Sequence, residues 1–236
     1  TVSTVEHLMA ALMGHQVDNV RIEIDGPEVP ILDGSPISFF EAIAKVGTDF
    51  QLQSRPILIL KRKVEIKLNE KWAIAEPCSR LQIHASVEWD HPSVGYQEFH
   101  YLDGKTPFRQ LADARTFCFL RDVEMMRAAG LIKGGSLDCA VVLDDALVLN
   151  SDGLRYPDEF VRHKVLDALG DFKLAGIGIQ ANFRLHRAGH DLHSQLLSAI
   201  FRDPENFEIF DGSEHQERRP SRPAAIAARS FAAVIG

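Results

Sequence analysis

Three groups of residues in this 236-residue chain have types and spacings that suit chemistry. His163, Asp167 and Asp171 follow one another at four-residue intervals within Phe160–Phe172. On a helix turning about 100° per residue, they share one face. An imidazole and a carboxylate one turn apart can close on a divalent metal. The same spacing also reads as a solvated face with a local His–Asp contact, the commoner outcome for the spacing alone. Glu6-His7 is the second group: adjacent on a helix, His can hold a metal while Glu addresses a bound water. Glu6 has a structural reading too, because Ser3 and Glu6 have capping-box spacing. The third is Arg187-Ala188-Gly189-His190, where His190 opens a helix after a strand turn, a place where most histidines are surface residues. Two histidines and one aspartate would supply three ligands and leave an open position for water, as a catalytic zinc site requires.

The elements that must position these residues can be read from periodicity. Around His163 the sequence predicts a helix opened by Pro157, with Asp158 and Glu159 in a first turn that suits them. Its apolar stripe is Val161, Val165, Ala168, Leu169 and Phe172. Phe160 and Leu174 fall on the polar side, so a second wall is expected to cover that side. A helix is predicted over Ser3–Gly14, a strand over Asn19–Asp25, a loop over Glu28–Ser35, and a helix from Ser35 or Pro36 through Val46. Gly47–Pro56 is the linker candidate. Strands follow at Ile57–Leu68 and Trp72–Ala75, hairpinned around Asn69-Glu70, then at Leu81–Glu88 and Tyr96–Tyr101. Next come a helix from Thr106-Pro107 through Ala114, a strand at Thr116–Leu120, and a helix over Arg121–Ala129 stopped by Gly130. A hairpin of Cys139–Leu143 with Ala146–Asn150 precedes the central helix. A strand at Gly178–His186 and a helix from His190 to about Phe201 close the pattern, and residues 212–236 read as a flexible tail.

Composition narrows the function classes. A formal charge of -7 lacks the basic stripe of a nucleic-acid surface. No apolar run reaches membrane-spanning length. Three widely spaced cysteines, none in a C-x-x-C, argue against a disulfide framework and fit a reducing cytosol.

Longer motifs add specificity. Thr4-Val5-Glu6-His7-Leu8, Asp18-Asn19, Pro30-Ile31-Leu32-Asp33-Gly34-Ser35, Ala114-Arg115-Thr116-Phe117, Gly134-Gly135-Ser136, Phe160-Val161-Arg162-His163-Lys164-Val165-Leu166-Asp167, Gly170-Asp171 and Gly189-His190 occur in this order. Together they closely resemble the zinc-dependent UDP-3-O-acyl-N-acetylglucosamine deacetylases of lipid A biosynthesis, from Thr1 to about Phe201. The resemblance implies an α+β fold of two layered α/β domains, sheet packed on helices, with the active site at their interface. It implies that 1–54 is the later part of the first domain, its upstream part missing, and that 55–211 is the second. An insert at about 118–148 would form a passage for the acyl chain.

The resemblance also assigns roles. His7, His163 and Asp167 would hold zinc, with iron(II) able to occupy the same ligands. Glu6 would be the general base and His190 the second catalytic residue, oriented by Asp171. Thr116 would donate to the oxyanion. Lys164 and Phe117 match substrate-contacting positions, Arg187 lies where the family has a basic group near the diphosphate, and Leu137 and Ile132 offer apolar surface to the acyl chain. The expected partner is the UDP-linked acyl-glucosamine in the cytoplasm of a Gram-negative-type bacterium. The apolar end, Phe231-Ala232-Ala233-Val234-Ile235-Gly236, reads either as a protease-recognition signal or as a disordered terminus. Another zinc amidohydrolase, or a non-catalytic sugar-nucleotide or acyl binder, shares part of the pattern.

Overall fold

The computed structural model describes residues 1–128 and 136–211. Two helices come first, α1 (Glu6–Gly14) and α2 (Ile37–Val46), followed by irregular chain through Pro56. Strands β1 (Ile57–Leu60), β2 (Val64–Leu68), β3 (Lys71–Pro77), β4 (Gln82–Trp89) and β5 (Gly95–Leu102) lead to a short helix α3 (Arg109–Ala112). Then come β6 (Phe117–Phe119), α4 (Leu120–Ala128), β7 (Val141–Leu143), α5 (Glu159–Lys173), β8 (Gly178–His186), α6 (His190–Arg202) and β9 (Phe207–Phe210).

Seven strands form one mixed sheet around β8. β3 runs antiparallel to it along Ala181–His186, β4 parallel along Asn182–His186, and β1 parallel along Gly178–Gln180. β5, β2 and β9 extend the sheet from β4, β3 and β1. Burial alternates along β4 and β8, so one sheet face is covered and the other meets water. The covering layer is α5 and α6. Phe172 of α5 stacks on Phe183 of β8, ring centroids 4.0 Å apart, and both are buried. α5 is buried on nearly every side, because α1 packs on the flank away from the sheet, with α2 behind α1. β6 and β7 pair in parallel as a separate small sheet. This is the α+β, sheet-on-helix architecture expected.

Several expected elements come out differently. Residues 19–25 form no strand: Val20, Ile22 and Ile24 are exposed, and no described strand lies beside them to take their hydrogen bonds. β1 and β2 are separate rather than one run, since β1 pairs with β8 and β9 while β2 pairs with β3. Pro157 stands outside the helix, whose N-cap is Asp158. The hairpin expected over 139–150 is reduced to β7 and one bridge, Leu143 to Val148. Strand β9, absent from the expected elements, follows the turn residues Asp203-Pro204-Glu205-Asn206 and joins the sheet by pairing with β1. Of the two residues expected behind a second wall, Phe160 is fully buried but Leu174, just past the end of α5, is 55% exposed. Ile132, Gly130, Gly134-Gly135 and residues 212–236 lie outside the described residues.

Candidate active site

The site is built where α1 crosses α5. The crossing needs Gly170, since a Cβ there would lie 2.1 Å from the Glu6 carbonyl oxygen. Backbone contact at that point lays Glu6 and His7 over the polar side of α5. The start of α1 is fixed from outside the helix. Ser3 bonds to the Pro27 carbonyl and the Thr4 hydroxyl donates to the Glu28 carboxylate at 2.6 Å, so no capping box forms and Glu6 is free for another task.

His7, His163 and Asp167 meet in the crossing, 2%, 1% and 1% exposed. One ligand atom from each lies within 4.8 Å of the others. Asp167 Oδ1 stands 3.2 Å from His163 Nε2 and 3.9 Å from His7 Nε2. The Ala114 carbonyl, which can only accept, takes a hydrogen bond from His163 Nδ1 at 3.0 Å and so turns Nε2 toward Asp167. Asp167 Oδ1 is buried and has no hydrogen-bond donor among the described residues, and His7 Nδ1 is buried likewise. Burial holds the His7 imidazole neutral, its pKa lowered to about 3, with His163 adding to the effect. Burial also pushes the Asp167 carboxyl up, but His163, Lys164 and His190 outweigh it and hold the group well below the usual carboxylate range. An unprotonated imidazole beside an ionised carboxylate with an unclaimed oxygen is a donor set that fits a divalent cation.

Glu6 and His190 flank this trio. Burial, then Asp167 and Asp171, raise the Glu6 pKa, against the opposing effects of its own backbone N–H and of His190. Asp171 accepts from His190 Nδ1 at 2.8 Å, a bond that raises the imidazole pKa to about 9 against the effect of burial. His190 Nε2 then lies 4.0 Å from Asp167 Oδ2, on the side of the trio. Asp171, His190 and His193 also lie close enough to hold a metal. Both imidazoles there point Nδ1 donors at the carboxylate, so that group is a hydrogen-bonded cluster.

The remaining predicted residues fall at different distances from the centre. Thr116 is two residues past Ala114; its N–H bonds to Gly34 O and its carbonyl accepts from Val141, both at 2.7 Å. Gly34 has φ +83°, and a Cβ there would meet the Cys139 carbonyl at 2.1 Å, so the Asp33-Gly34-Ser35 loop is seated against this segment. The Phe117 ring is 6.4 Å from that of His163 and 5.4 Å from the Lys164 ammonium. Lys164 Nζ bonds to Asp167 Oδ2 at 2.9 Å, so it touches a member of the trio directly. Arg187 pairs with Glu70 at 3.0 Å and has no described contact with the trio. Leu137 is 48% exposed and has no described contact with the trio.

Sequence reasoning missed two sets of residues. His193 bonds to Asp171 at 2.7 Å, and its three-residue spacing from His190 on one helix could have revealed it. Arg115 and Glu159 form a buried ion pair, Nε to Oε1 at 2.9 Å, and Glu159 also accepts from the Arg115 N–H. This pair fastens the start of α5 to the segment that carries Ala114 and Thr116. Nothing in the sequence pattern links residues 44 positions apart.

A buried two-histidine, one-carboxylate trio, flanked by a carboxylate and a His–Asp pair, is the set of groups that a metal-dependent hydrolase uses. The chain belongs to the LpxC family, UDP-3-O-acyl N-acetylglycosamine deacetylase, whose family model matches residues 1–202. It is 43% identical over 226 residues to the UDP-3-O-acyl-N-acetylglucosamine deacetylase of Anaeromyxobacter sp. (strain Fw109-5), covering 95% of this chain and 74% of that one. It is also 43% identical over 209 residues to the enzyme of that name from Myxococcus xanthus (strain DK1622), covering 88% and 67%. For the Haemophilus influenzae (strain PittEE) enzyme the identity is 40% over 230 residues, covering 95% and 75%.

Proposed function

We infer that this chain hydrolyses the N-acetyl group of UDP-3-O-(3-hydroxyacyl)-N-acetylglucosamine, giving acetate and a free amine on the path to lipid A. Family membership supports the substrate, and the observation that carries the chemistry is the unclaimed Asp167 oxygen facing two histidines. His7, His163 and Asp167 would hold the metal, which we assign as zinc on its preference for mixed histidine–carboxylate sites with an open position. When bound, zinc polarises the amide carbonyl and acidifies the attacking water.

The chain's own groups supply the rest. Glu6, its affinity for a proton raised by burial, takes the proton from water as the new C–O bond forms. The Thr116 hydroxyl donates to the oxyanion that develops on the former carbonyl. His190, held protonated by Asp171, stabilises the negative charge and then gives its proton to the departing amine as the C–N bond breaks. Lys164 and Phe117 border the site, and we assign them to the substrate; Arg187 would have to leave Glu70 to reach a diphosphate. Leu120 and Leu137 present exposed apolar surface at the segment we read as the acyl passage. Leu137→Arg is expected to raise KM for a long-acyl substrate more than for a short one. We place the enzyme in the cytoplasm, a reducing compartment that suits its three widely spaced cysteines. We divide the chain at Gly47–Pro56, with the trio bridging the two sides: His7 before it, His163 and Asp167 after.

Acetate release from the UDP-linked acyl-glucosamine, measured beside release from simple N-acetyl amides, tests the reading. Turnover of the sugar nucleotide alone is expected. Comparable turnover of simple amides would instead make this a general zinc amidohydrolase.

A further inference from the structure

Asp171 is the meeting point of two imidazoles with opposite surroundings. His190 and His193 are one turn apart at the start of α6, and both Nδ1 atoms lie on the same carboxylate oxygen, Oδ2, at 2.8 and 2.7 Å. A carboxylate in this state only accepts, so each Nδ1 carries the bonding proton. The His190 side chain is half exposed, and its other nitrogen faces the trio. His193 is fully buried, packed at 5.4 Å against the Phe172 ring, and its Nε2 has no hydrogen-bond partner among the described residues. A leucine would fill such a place without bringing an unpaired nitrogen into it. What the histidine contributes, and leucine could not, is the bond to Asp171.

We propose that His193 is a positioning residue for His190, acting through the carboxylate they share. This rests on the catalytic role inferred above for His190. His190 reaches the site from the first residue of a helix, and Asp171 is the partner that fixes its ring. The carboxylate could turn about its own side-chain torsions. The buried donor from His193 stops that rotation from the side opposite to solvent, so the exposed imidazole meets a fixed acceptor. The two bonds also tie α6 to α5 at the turn where His190 must point.

His193→Asn and His193→Leu separate this role from space filling. The Asn amide nitrogen is attached to Cγ, as Nδ1 is in histidine, so Asn keeps a donor at the same number of bonds from the backbone; Leu fills the pocket without one. His193→Leu is expected to lower kcat by ~10–100-fold, the usual effect of removing an outer partner of a site residue, with KM and bound metal unchanged. His193→Asn should recover the rate to within about threefold of the unaltered enzyme, while melting temperature does not rank the variants in this order. Leu activity within about twofold of the unaltered enzyme, or Asn as impaired as Leu, would overturn the proposal. A second readout does not need turnover: the His190 Nδ1 proton resonance, in protein labelled with 15N-histidine. It should persist in His193→Asn and be lost to solvent exchange in His193→Leu. Its persistence in His193→Leu would also refute the role. Failure of the unaltered enzyme to deacetylate would count against the function inferred for the site, and the resonance would still decide the role of His193.

Discussion

A proton donor at the leaving amine, the role proposed for His190, has to stay charged at working pH, and Asp171 is what keeps His190 charged. The bond between them raises the imidazole to about 9. A group with a raised pKa is protonated below it and loses the proton as pH rises through it. The rate should therefore fall on the alkaline side as His190 deprotonates. Asp171→Asn removes the anion, so the alkaline fall in kcat/KM should move to lower pH, toward the ordinary histidine value of about 6.5. A pH–rate profile checks this, and an alkaline limb unmoved by Asp171→Asn would mean that another group sets it. Glu6 shows how far single residues were legible. Its adjacency to His7 suggested a base, and its spacing from Ser3 suggested a cap. Only the structure, where Ser3 bonds to Pro27 instead, removes the second role.

Elements set the distances that these residues need. The face of α5 bearing His163, Asp167 and Asp171 could be read from its period, because four-residue spacing places side chains over one another. What covers that face could not be read, since crossing points depend on contacts between distant segments. Gly170 is the clearest instance: in sequence it is one glycine within a helix, and in the structure it is where α1 lies against α5. Gly170→Ala should force the helices apart, costing about 1–3 kcal/mol of stability and lowering both metal affinity and rate, read by denaturant titration and metal content. Stability and rate equal to those of the unaltered protein would mean the crossing is not tight. The Arg115–Glu159 pair acts on the other flank. Among the described residues, Glu159→Ala leaves the buried guanidinium with Asp152 and the Gly153 carbonyl, and should cost ~3–5 kcal/mol by the same denaturant measurement. A cost below about 1 kcal/mol would show that Arg115 rehydrates freely.

At the scale of the whole molecule, the architecture was legible wherever a pattern is local. Alternating strands, the two amphipathic helices α5 and α6, and the hairpins of the sheet follow from period and turn residues. The misplaced strands share one cause: partners distant in sequence decide whether an extended segment becomes a strand. Residues 19–25 alternate well and have no described strand beside them, whereas Phe207–Phe210 alternates weakly and is a strand because β1 offers an edge. The site has the same dependence, since its trio draws His7 from α1 and His163 with Asp167 from α5, far apart in sequence.

The most direct test of the account is to measure bound metal and deacetylation together in the unaltered protein, Asp167→Ala and Glu6→Ala. A single tightly held divalent metal is predicted, lost in Asp167→Ala and kept in an inactive Glu6→Ala. Metal-free protein that turns over as fast as the metal-loaded form, or a Glu6→Ala variant that keeps both metal and full rate, would contradict it.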